Sequence, residues 1–120
     1  LNAERAIDFD PQNADLYGQL GHIRFQARNY EGAIAVLHCA VEGCTAEENE
    51  WEVAVEGLEL TDASVVYYYV YTSATSSLGE YDTALPVVDQ IEAVFADNSL
   101  VMAITADNRG TCALLAERDN

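Results

Sequence analysis

Residues 20–44 read LGHIRFQARNYEGAIAVLHCAVEGC, and the periodicity of this stretch decides the fold. Tyr17, Leu20, Gly21, Ile23 and Phe25 recur at helical spacing, and so do Ala33, Ile34, Leu37, Ala40 and Val41. The polar link ARNYEG between the two sets leaves room only for a tight turn. Helices joined so closely lie antiparallel. Gly21, Ala33 and Ala40 are small enough to let the two backbones approach. Gly43 then offers a left-handed stop for the second helix.

The pattern recurs further along the chain. Tyr30-Glu31-Gly32-Ala33 is echoed by Tyr81-Asp82-Thr83-Ala84, and Gly21 precedes Ala33 by the same interval at which Thr72 precedes Ala84. YYYVYTSATSSLGEYDTALPVVDQIEAVF therefore reads as a second helix–turn–helix with Gly79 at its turn. YYYVY, residues 67–71, has strand composition when taken alone, but its phase in the repeat makes it helical. The two ends read as halves of the same unit: Ala3, Ala6 and Pro11 as a second helix, NSLVMAITADNRGTCALLAE as a first helix.

At these residues the chain resembles the tetratricopeptide repeat family, whose signature runs aromatic, Leu-Gly, aromatic, Ala, large apolar, Ala and Pro over a 34-residue period. The first full repeat matches at Tyr17, Leu20, Gly21, Ala33, Leu37 and Ala40, the second at Tyr68, Ala84 and Val88, and Pro11 closes the leading half. Arg24 and Thr75 replace the second aromatic, Tyr71-Thr72 replaces Leu-Gly, and Thr45 replaces the closing Pro. The resemblance implies an all-α, right-handed superhelical stack of antiparallel helix pairs. Its units are a half-repeat at 1–12, a repeat at 13–44, an acidic insertion at 45–62, a repeat at 63–97 and a half-repeat at 98–120. Ala33 and Ala84 stand 51 residues apart, so about half a repeat has been inserted. TAEENEWEVAVEGLEL, residues 45–60, fits an irregular loop. Its middle reads equally as a period-two strand or as one helical turn, with Trp51 packed on the stack because its ring is large and apolar.

Stacked helix pairs curve and present a concave side. In the family the first helix of each pair lines that side. The resemblance places the lining at Asp15, Gly18, His22, Phe25 and Gln26, then at Val66, Tyr69, Ser73, Ser76 and Ser77, and finally at Leu100, Ala103, Asp107 and Gly110. It implies a shallow, hydroxyl-rich groove for a protein or peptide segment, with Tyr69 as an aromatic anchor and most of the other tyrosines in the core. The Lys, Arg and Asn clamp that some members use for C-terminal carboxylates is replaced here by Gly, Ser, Val and Asp.

Charge narrows the partner further. The chain has 21 acidic residues, five arginines and no lysine, for a formal net charge of −16. Phosphate backbones are bound by Lys and Arg, so nucleic acid is excluded as a partner, and an anionic membrane surface is disfavoured. The field attracts neutral or cationic segments. No apolar run reaches the ~20 residues that span a bilayer. The opening LNAERAIDFDP, already helical and without an initiator Met, suggests a piece of a longer protein. Two other roles fit the same residues: a regulatory or structural arm of a larger enzyme or sensor, and self-assembly into a homo-oligomer through apolar end helices.

Cys39 and Cys44 flank the helix stop at Gly43. A Schellman termination would bring them together at a distance that suits either a disulfide or an ordinary apolar contact. A bridge would imply an extracellular or periplasmic setting. Cys112 sits among apolar residues as a buried free thiol. His38, Cys39 and Cys44 fall short of the four ligands of a structural zinc site. His22 and His38 lack a nucleophile partner, and DFDPQNAD lacks calcium-loop spacing. The reading is therefore a non-enzyme with no metal and no cofactor.

Overall fold

The computed structural model describes residues 2–119, and side chains as far as Gly110. It is all-α: α1 Asn2–Phe9, α2 Ala14–Gln26, α3 Tyr30–Val41, α4 Val65–Ser77, α5 Tyr81–Val94 and α6 Ser99–Asp119. YYYVY lies inside α4, and no strand is present among the described residues. The expected environment of Cys112 lies outside the described side chains.

Local chemistry accounts for the helix limits. Asn13 caps α2 by accepting the Asp15 amide, and Asn29 caps α3 by accepting the Gly32 amide. A Cβ at Gly32 would stand 2.3 Å from the end of the Asn29 side chain, so the cap in this geometry sits against a bare backbone. The α2 and α4 termini are built alike. At α2, the Arg28 and Asn29 amides bond back to the Phe25 and Arg24 carbonyls; at α4, the Gly79 and Glu80 amides bond back to Ser76 and Thr75. Both are Schellman turns, with Arg28 and Gly79 at φ 64° and 77°.

α4 carries poor helix formers on buried positions, and it satisfies them internally. The hydroxyls of the buried Thr72, Thr75 and Ser76, and of the exposed Ser77, donate to carbonyls three or four residues back in the same helix.

Two core clusters join the helices. One gathers Ile7, Tyr17, Leu20, Val36 and Ala40 with Val55 of the long loop; the other gathers Leu37, Tyr68, Tyr71, Val87 and Ile91. Each helix touches the next in the chain. In addition α2 approaches α4 and α4 approaches α6, whereas the backbones of α3 and α5 make no close approach to each other. The helices α2, α4 and α6 therefore stand side by side along one face, and α3 and α5 splay apart on the other.

The segment between α3 and α4 is neither a strand nor a helical turn. It is a series of turns held by one antiparallel bridge, Cys44 to Val55. Its anchors are specific. The buried Asn49 donates to the Tyr17 hydroxyl and the Val53 carbonyl, and accepts the Trp51 amide. Tyr17 donates in turn to the Pro11 carbonyl. Trp51 packs edge-on to Tyr17 at 5.6 Å and donates to Asp8. Thr45 and Glu48 bond reciprocally, amide to side chain, which holds the Glu48 carboxyl below its ordinary pKa. Arg24 reaches the Gly32 carbonyl and the Glu50 carboxylate.

Gly43 has φ 82°, as a helix stop requires. The expected Schellman bond from Cys44 back to Cys39 is not made. The Cys44 amide donates instead to Val55, and the Leu58 amide takes the Ala40 carbonyl. The loop itself thus caps α3. Cys39 and Cys44 are joined by a disulfide, with Cα atoms 4.7 Å apart.

Candidate interaction face

The face of α2, α4 and α6 holds the residues expected to line a groove, and the structure sorts them. His22, Phe25, Tyr69 and Ser73 are half-buried, while Gln26, Val66 and Ser77 are exposed. On α6, Leu100, Ala103, Asp107 and Gly110 are exposed. Gly18 and Ser76 are buried, so neither lines an open surface. Gly18 lies beneath the Tyr67 ring; a Cβ there would stand 2.6 Å from it. Asp15 accepts the Tyr67 hydroxyl at 3.1 Å. The hydroxyl-rich lining expected from the sequence is largely consumed by α4's own carbonyls. Asn108 of α6 also donates to Thr72 across the seam.

The two seams on this face differ in a way that follows from side-chain size. The starts of α2, α4 and α6, at Ala14, Val65 and Ser99, set a common register. The fifth residue of α2 is Gly18, and the third of α4 is Tyr67, so a ring lies flat on a bare backbone and the seam closes. One step on, the fifth residue of α4 is Tyr69 and the third of α6 is Val101. Here the large side chain sits where the small one was needed, and the filler is short. The result is a cavity of about 210 Å³.

Val65, Val66 and Tyr69 of α4, Ile91 of α5 and Val101 and Ile104 of α6 line that cavity. Thr105 completes it with its hydroxyl tied to the Val101 carbonyl, so the lining is apolar throughout. Sequence reasoning found Val66 and Tyr69. It missed Val101, Ile104 and Thr105, although their i, i+3, i+4 spacing marks one face of a helix.

A second hollow lies where α4 begins and α5 ends, lined by Asp62, Val94, Phe95, Asp97, Asn98 and Ser99. On the opposite side, where α3 and α5 splay, a cleft is lined by His38, Glu42, Tyr71, Glu80, Asp82 and their neighbours. Tyr71 donates to Glu42 there, and burial and that carboxylate push its phenol well above the usual range. Burial, reinforced by Asp15, pushes Tyr67 up to about 12.

Among the described residues no group of His, Cys, Asp or Glu is placed to hold a metal ion, and no helix is long and apolar enough to cross a membrane. In comparison with known proteins, the chain matches no family model, no curated protein and no solved structure.

Proposed function

We propose that this chain is a protein-interaction module of the tetratricopeptide type, which holds a neutral or cationic peptide segment along the face of α2, α4 and α6. One observation carries the reading. The first helices of successive pairs approach one another while the backbones of α3 and α5 stay apart, the arrangement that curves a stack toward its first helices. The like-built turns at Arg28 and Gly79 support treating the pairs as repeats. The net charge of −16 favours a basic partner over an acidic one.

An array of capped peptides that differ only in charge tests this. Basic peptides are expected to bind in a salt-sensitive way, and binding is expected to weaken in Tyr69→Ala. Equal retention of acidic and basic peptides, or binding indifferent to Tyr69, refutes the reading.

A further inference from the structure

We infer that the cavity between α4, α5 and α6 is the anchor pocket for one aliphatic or aromatic side chain of an extended basic peptide, with Asp62 and Asp97 receiving the flanking positive charge. The inference rests on the interaction-module reading and gives it a subsite and a ligand class.

Size and polarity argue for the anchor. An apolar cavity of about 150 Å³ holds a benzene ring, so one of about 210 Å³ takes a Leu, Met or Phe side chain. The walls offer no polar group to hold water or a charged tip. The pocket is open to solvent at residues with real exposure, Val66 at 39 % and Ile104 at 38 %.

Charge complementarity argues for the occupant. The second hollow lies along the same three stretches of chain, each displaced by about one turn. Asp62 precedes Val65 and Val66, Phe95 follows Ile91, and Asn98 precedes Val101. One helical turn is about 5 Å. Asp62 and Asp97 are exposed and make no ion pair or side-chain hydrogen bond among the described residues. In an extended peptide, side chains two residues apart lie about 7 Å apart on one side. A basic residue two positions from an apolar one therefore reaches the carboxylates while its neighbour fills the cavity. A second copy of this chain is a poor occupant, because each copy carries a net charge of −16.

The probe is a fluorescein-labelled, capped nonapeptide with leucine at its centre and lysine two residues to either side, read by fluorescence anisotropy against the intact chain. It is expected to bind, and alanine in place of the central leucine is expected to weaken binding at least tenfold. Ile104→Gln, and separately Val66→Gln, should have the same effect with the helical circular dichroism unchanged. Asp62→Asn with Asp97→Asn should weaken binding about threefold to tenfold at low salt and flatten its salt dependence. Leucine and alanine probes binding alike, or binding unchanged in both Gln variants, overturns the pocket while the wider face keeps its reading. Failure of all basic peptides to bind overturns both. Sedimentation of a dimer that Ile104→Gln dissociates, and that the probe does not, also overturns the pocket assignment.

Discussion

Gly18→Ala is the sharpest probe of how α2 and α4 are held together. Two opposed effects meet at this site. Alanine in a helix interior is favoured over glycine by about 1 kcal/mol. Against that, the new Cβ would stand 2.6–2.7 Å from three atoms of the Tyr67 ring, whereas carbon atoms rest at about 3.5–4.0 Å. The ring must retreat by about 1 Å. It is buried, and its hydroxyl is tied to Asp15 at 3.1 Å, so retreat either breaks that bond or lifts α4 from α2. Overpacking of this kind costs about 1–3 kcal/mol, and the lost hydrogen bond about 1 kcal/mol more. The net expectation is a loss of about 1–3 kcal/mol, or about 4 °C in Tm for each kcal/mol. Gly110→Ala is the control, since nothing lies within 4 Å of a Cβ there. It should stabilise by about 0.5–1 kcal/mol through the same helix preference. Urea unfolding followed by circular dichroism measures both. In a Tyr67→Ala background, Gly18→Ala should switch sign and become stabilising. If Gly18→Ala alone stabilises as much as Gly110→Ala, the α2–α4 seam is not the tight contact described.

Other substitutions test the loop, the turns and the cavity. Gly57→Ala puts a Cβ 2.8 Å from the Gly43 nitrogen and the Val41 oxygen; backbone atoms cannot rotate away, so a loss of about 1–3 kcal/mol in urea unfolding is expected, and a neutral variant refutes the docked loop. Arg28→Gly relieves a left-handed arginine and should raise stability by about 0.5–1 kcal/mol, with an unchanged or lower urea midpoint as the contrary result. Burial raises the pKa of Tyr17, Tyr67, Tyr68 and Tyr71, Tyr67 to about 12. A raised folded value means that the stabilisation is complete below about pH 10 and is lost as pH climbs toward 12, so late tyrosinate absorbance should coincide with loss of helical signal; complete tyrosine titration near pH 10 with the helices intact contradicts it. Val101→Phe should fill the cavity, stabilise by about 1 kcal/mol in urea unfolding and block the leucine nonapeptide; lower stability or undiminished binding argues against an accessible pocket there.

Much of the helical order was legible because it is written in local spacing. The Leu20–Cys44 pair, the stop at Gly43 and the turn at Gly79 each depend on residues within a few turns of one another, whereas YYYVY alone has strand composition and reads as helix only through its phase in the repeat. The proximity of Cys39 and Cys44 is local in the same sense. The loop was legible only as an interruption. Its shape depends on Asn49 meeting Tyr17 and on Trp51 meeting Asp8, pairings 32 and 43 residues apart that no periodicity announces. Arg28 carried no glycine signal, yet it occupies the same turn position as Gly79. The capping contacts around it decide the conformation, not its own preference.

The candidate site was half legible for a related reason. Hydroxyls on α4 suggested a polar groove, but a Ser or Thr in a helix has carbonyls of its own within reach, and burial makes that bond the favoured one. Gly18 was placed in the groove lining by its position alone, and the Tyr67 ring covers it. Whether space at one helix stays empty depends on what the next helix brings to the same level. That requires two intervals at once, 51 residues from α2 to α4 and 34 from α4 to α6. Laid in that register, Gly18 faces Tyr67 and Tyr69 faces Val101. The first pairing is complementary in size and the second is not. Glycine at the fifth position of α4 together with tyrosine at the third of α6 would have copied the closed seam. The mismatch leaves the 210 Å³ cavity beside two carboxylates that are unpaired among the described residues, and it makes this end of the face chemically distinct from the closed seam at α2.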